Sequence, residues 1–163
     1  MTVIASADLG NAIAGGVGSR VRSESVVQSI GAGTSEVISF TAADVFDTDS
    51  WHDHTAGAPG DTRFTVPTGQ AGLYLISLNA EWAAASATDG YGSTILVDGA
   101  VVAAERAVYT LAENDVNNLA ANSVSVALQL TAAQIVTVSC RNSGAADKAA
   151  TVQITIVRIG PTV

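Results

Sequence analysis

The chain's two histidines sit together in Trp51-His52-Asp53-His54, preceded by Asp44, Asp47 and Asp49. Imidazole and carboxylate together suit a transition metal, and the acids alone suit calcium. The spacing serves neither. With Asp47 as position one, an EF-hand loop requires Gly at position six and Glu at twelve, and neither occurs. His52, Asp53 and His54 are the residues that would ligate a metal if one bound, but the segment reads first as a polar surface or interface loop. Nucleophilic chemistry lacks a motif as well. Gly90-Tyr91-Gly92-Ser93 puts its serine in the wrong place for a G-x-S-x-G elbow. The run GGVGSR, Gly15 to Arg20, lacks the G-K-[ST] ending of a phosphate loop. Glu81, beside Trp82, is the one candidate acid for glycoside hydrolysis, a reaction that needs a second carboxylate placed by the fold. It reads more simply as a rim or interface carboxylate. Cys140 is the single cysteine, which excludes an intramolecular disulfide. It lies in the strand pattern IVTVSC, with no histidine or helix start nearby to activate it, and reads as a buried, inert thiol. These residues predict no enzyme, no cofactor and no resident metal.

The elements that must position them are strands. Pro67 to Gly72 is a turn signal that launches a long strand from Leu73 to Trp82. On it Tyr74, Ile76, Leu78, Ala80 and Trp82 share one face. Leu73, Leu75, Ser77, Asn79 and Glu81 share the other, which turns polar toward its end, as where a sheet meets solvent or a wet interface. A Gly-rich loop, Asp89 to Gly92, follows. Two apolar runs then flank Asp98-Gly99, the strongest short-range signal for a hairpin, because a type I′ turn needs two residues of positive φ. EVISF, from Glu36, is a further strand, and RFTVP alternates Phe64 and Val66 against Arg63 and Thr65. DVFDTDSWHDHT is irregular, anchored by Phe46 and Trp51. Residues 108–122 are a loop with room for a helical turn. SVSVALQL, IVTVSC and ATVQITIVRIG alternate cleanly to the end. With eight or more short strands and no amphipathic helix, the pattern predicts an all-β sandwich or barrel. Residues 1–34, rich in Gly, Ala, Ser and Val, read as an extended arm, within which VRSESVVQSI has the makings of a short strand.

Composition narrows the partners. The 163-residue chain is long enough for one domain, burying roughly 68–70% of its unfolded surface. It is 48% hydrophobic with mean hydropathy +0.35, which excludes a disordered chain. No stretch approaches the ~20 large apolar residues of a membrane span. Only 13% of residues are charged and the net charge is −8, with one lysine and scattered arginines. That excludes nucleic acid, whose phosphates require clustered cations. The low charge density suits a surface largely covered by other protein. The N-terminus, MTVIASADLG, lacks a basic region and Asp8 breaks its apolar run, so no signal peptide is expected and synthesis is assigned to the cytoplasm.

The ordered set of motifs resembles complement C1q and tumour-necrosis-factor-like domains, in the short form found as bacteriophage virion proteins. Gly72-Leu73-Tyr74 opening the long strand is similar to the G-x-Y signature of that family. The acidic DVFDTDSWHD precedes it. ILVDGAVVAAE, LQLTAAQIVTVSCRNSG and the closing ATVQITIVRIG follow in order, so the resemblance covers roughly residues 36–160. It implies a jelly-roll β-sandwich of about ten strands, forming homotrimers through one sheet of each subunit, and assembly rather than catalysis. The aliphatic ITIVRIG replaces the aromatic-rich last strand of animal members, and no collagen-like repeat is present, which favours a phage origin over receptor signalling.

On this reading residues 1–34 are an anchoring arm and 35–163 the jelly roll. The protein is a capsid decoration or head-fibre protein on the virion surface, and its partners are itself and the major capsid or another virion protein. Phe40, Tyr74, Ile76, Trp82, Leu128 and Ile156 are assigned to the trimer interface. The alternative is a tail-fibre tip that binds a receptor or host-surface glycan, with Tyr91 and Tyr109 in ligand-facing loops. A glycan hydrolase using Glu81 is a third, weaker reading.

Overall fold

The computed structural model describes residues 20–23, 26–41, 44–47, 50–53, 55, 57, 61–83, 89–108 and 120–161. They form eleven strands and no helix: β1 (Arg20–Ser23), β2 (Val26–Ile30), β3 (Ser35–Val37), β4 (Asp44–Asp47), β5 (Phe64–Thr65), β6 (Gly72–Trp82), β7 (Gly90–Val97), β8 (Ala100–Val108), β9 (Ala120–Leu130), β10 (Ile135–Asn142) and β11 (Lys148–Gly160). A six-stranded sheet runs β4-β1-β11-β6-β9, with β2 also on β11. A five-stranded sheet runs β3-β10-β7-β8, with β5 also on β10. All the pairings are antiparallel. Neighbours in the sheet are distant in sequence, as β11 between β1 and β6 shows, so the two layers are a jelly-roll sandwich.

Period-2 alternation builds the core. The inward face of β6 places Tyr74, Ile76, Leu78, Ala80 and Trp82 at 0% exposure, and β11 adds Val152, Ile154 and Ile156 beside them. From the other sheet come Tyr91, Ile95, Val136, Val138 and Cys140. Each end of the sandwich is filled by rings. Trp82 lies tilted on Tyr91 with centroids 4.8 Å apart, while Trp51 meets Tyr74 edge-on at 5.0 Å and Phe40 meets Phe64 at 5.3 Å. β6 carries a tryptophan to one cluster and a tyrosine to the other, so this single strand ties both ends together.

Local chemistry fixes the turns. Asp98 and Gly99 have φ of 49° and 81°, the two positive values a type I′ hairpin requires, and Val97 pairs with Ala100 as expected. The Asp98 carboxylate also accepts from the Ile135 amide at 2.9 Å and from Gln134 Nε2 at 3.0 Å, which pins the hairpin tip to β10. At the start of β6 the Gln70 amide donates to the Pro67 carbonyl at 3.1 Å, with Gly69 at φ 81°. Tyr74 Oη donates to the Gln70 carbonyl, and Arg158 donates to Gln70 Oε1 at 3.2 Å and the Ala71 carbonyl at 2.7 Å. Gly72 fits beneath this clamp because it lacks a side chain. A Cβ there would stand 2.6 Å from the Gly160 carbonyl oxygen and 2.5 Å from Arg158 Nε.

The structure corrects the N-terminal boundary. β1 and β2 both pair with β11, and Ile30 is fully buried, so Arg20–Ser23 and Val26–Ile30 belong to the sandwich rather than to an arm. DVFDTDSWHDHT is also more regular than expected, since Asp44–Asp47 pairs with β1. The segment read as a loop at 108–122 contributes its last residues to β9. Residues 109–119 and 1–19 lie outside the described residues.

Candidate functional site

The outward face of the six-stranded sheet is the surface whose chemistry most needs a partner. On it β6 presents Leu73, Leu75, Ser77, Asn79 and Glu81, and the register sets Leu75 opposite Ala127 of β9 and Val157 of β11. Ser125 Oγ donates to Ser77 Oγ across the strands at 3.0 Å. Leu75 is 39% exposed and Ile159 49%. Among the outward positions of β6, β9 and β11, Glu81 carries the only charge. Lys148 and Arg158 fall in the inward register, beside Ile30 and Tyr74. A water-facing surface ordinarily carries charge at about a quarter to a third of its positions. Across β6, β9 and β11 the face is instead built mainly of Leu, Val, Ile, Ala, Ser, Thr, Asn and Gln, side chains that tolerate burial against another protein, while at its β1 margin the register sets Arg20 beside Val157 and Arg22 beside Thr155. Toward the Glu81 end it opens into a concavity of about 410 Å³ lined by Asn79, Glu81, Ser123 and Gln153 with Ala80, Ala121 and Asn122. Glu81 is the one carboxylate among these lining residues, so the two-acid arrangement of a glycosidase is not assembled there.

Against this frame the expected interface residues move inside. Phe40, Tyr74, Ile76, Trp82 and Ile156 are fully buried within one subunit, and Leu128 packs half-buried against the same core. The five fully buried side chains have no exposed area left for a sister subunit. Alternation identifies residues that share a face, but not which of the two faces turns inward.

The remaining candidates are dispersed. His52 is buried, its ring stacked on Phe64 at 4.6 Å and edge-on to Phe40 at 6.2 Å, with Nε2 3.2 Å from the Asp61 carbonyl oxygen. Its amide donates to Asp47 Oδ2 at 3.0 Å. Asp53 is exposed and accepts from the Thr55 amide at 3.1 Å, a local Asx turn. His54 and Tyr109 lie outside the described residues. No cluster of three potential metal ligands forms among the described residues. Tyr91 is not in a ligand-facing loop. It is a residue of β7 at 0% exposure against Trp82, with its hydroxyl 3.3 Å from Asp89 Oδ2. The flanking glycines suggested a loop, yet they are extended strand residues. Cys140 is buried, and burial pushes its thiol up to about 12 although the Ser93 hydroxyl 3.9 Å away pulls the other way. At neutral pH it is a thiol, not a nucleophilic thiolate.

The geometry has close counterparts among solved structures. PRD1 vertex protein P5 superposes with a TM-score of 0.65 at 15% identity, covering 90% of this chain and 100% of that one. The globular domain of zebrafish complement 1qA superposes at 0.60 and 11% identity, covering 90% and 99%, and murine APRIL at 0.56 and 13%, covering 87% and 99%. The chain has the C1q/TNF-like jelly-roll fold. No protein-family model matches the sequence, and no curated protein sequence does either. At these identities the likeness speaks for the fold alone.

Proposed function

We propose that this chain is a non-enzymatic structural protein of a phage virion, a trimeric decoration or head-fibre protein fixed to the capsid surface by its N-terminal segment. The observation that carries the reading is the two-way match with a vertex protein, 90% of this chain against 100% of the other. The outward face of β6, β9 and β11, where Glu81 is the one charged position, supplies the trimer contact, centred on Leu75, with Arg20 and Arg22 of β1 at its margin beside Val157 and Thr155. Burying such a face against identical copies removes apolar surface from water without stranding charges.

The anchor is narrowed to residues 1–19, because Arg20–Ser23 and Val26–Ile30 are sheet strands whose loss would expose the edge of β11. Deleting residues 1–19 is expected to leave a folded trimer that no longer co-sediments with particles stripped of the native protein. Undiminished binding by the truncated trimer would contradict the anchoring role. A receptor-binding fibre tip remains the second reading. Of the two aromatics it used, Tyr91 is now in the core, and the sheet face described next is a better-founded ligand surface.

A further inference from the structure

On the other side of the sandwich, the outward face of the five-stranded sheet has a notch of about 280 Å³. Its floor is the backbone of Gly90, Tyr91 and Gly92, and its walls are Ser35, Thr94, Ala104 and Arg141. The register explains it. Arg141 of β10 pairs with Gly92 of β7 on one side and with Ser35 of β3 on the other, and Gly92 pairs in turn with Arg106 of β8. One row across the sheet therefore reads Ser35, Arg141, Gly92, Arg106. Gly92 contributes no side chain, so two arginine positions flank an empty place. Twice the interstrand spacing separates their Cα atoms by roughly 10 Å.

We propose that this notch binds an acidic sugar, a uronate- or sialate-type monosaccharide unit, with the carboxylate on Arg141 and the ring over Gly92. Arg141 is exposed and makes no hydrogen bond or ion pair among the described residues, so its fork of donors is uncommitted. Guanidinium and carboxylate match in bidentate geometry. The Ser35 and Thr94 hydroxyls likewise have no intramolecular partner among the described residues and suit sugar hydroxyls. The charge is also local. The chain is −8 overall with six arginines, and two of those six positions fall in this one row. The volume is just below the roughly 300–1,000 Å³ of drug-sized pockets, room for one sugar ring rather than an extended peptide. The site lies on the sheet opposite the proposed trimer face and does not depend on that face.

The test is amide chemical-shift titration of the full chain with D-glucuronate, with D-glucose, sodium acetate and an aspartate-containing peptide in parallel. Glucuronate is expected to shift Gly90, Gly92 and Thr94 with millimolar affinity. Arg141→Gln should weaken it about tenfold or more, the loss expected for one charge-assisted contact, without changing the oligomeric mass. Shifts of equal affinity with glucose, or none with glucuronate, would overturn the proposal. So would acetate matching glucuronate (a simple anion site) or the peptide exceeding it (a protein-docking site).

Discussion

Trp82→Ala should destabilise the protein by about 3–5 kcal/mol, the largest single-residue effect expected in this chain. Trp82 is fully buried at the end of β6 and is half of the ring pair that closes one end of the sandwich. Truncation removes its contact with Tyr91 and leaves a cavity that two rigid sheets cannot collapse to fill. The indole adds a second lever. Its Nε1 has no hydrogen-bond partner among the described residues, and an unmade buried bond costs about 1–3 kcal/mol. Trp82→Phe keeps a ring on Tyr91 and deletes that orphan donor, so its cost should be less than half that of alanine. Chemical denaturation at one fixed protein concentration reads both, since oligomer stability varies with concentration. A cost under 1 kcal/mol for alanine, or a phenylalanine variant as damaged as alanine, would contradict this packing.

Leu75→Asp should act on assembly and spare the fold. Leu75 looks away from the core, is 39% exposed in one chain, and faces Ala127 and Val157 on the outward face of β6, β9 and β11. If that face is buried in a trimer, the substitution places an unpaired carboxylate in each of three interfaces, at several kcal/mol each. The variant should run as a folded monomer with an unchanged far-ultraviolet spectrum. Val101→Asp is the control. Val101 is 62% exposed on β8 of the opposite sheet and should leave the trimer whole. A Leu75→Asp protein that keeps the wild-type mass would move the interface elsewhere.

The sequence revealed what local chemistry determines. Asp98-Gly99 announced its hairpin because the turn demands positive φ at both residues, and β6 announced itself through alternation bounded by Pro67 and Trp82. It concealed what depends on distant partners. β1 and β2 are short, half-polar strands whose stability comes from β11, more than a hundred residues away, so Val26–Ile30 looked like arm. The two faces of β6 were separated correctly, but the sequence left Tyr74 and Trp82 open between core and interface, because aromatics suit either environment, and the structure buries both within the chain. The candidate notch was invisible for the same reason as β1. Arg141, Gly92 and Arg106 meet only through the register of three strands.

The most direct test of the central claim is the mass of the purified protein by light scattering on a sizing column, across a dilution series. Three chains of 16.4 kDa make about 49 kDa. A trimer of about 49 kDa that persists on dilution is the result predicted by the charge-poor outward face of β6, β9 and β11 buried between copies. A monomer of 16.4 kDa at every concentration would contradict it, leaving Leu75 and Ile159 exposed to water and the assembly role without its contact surface.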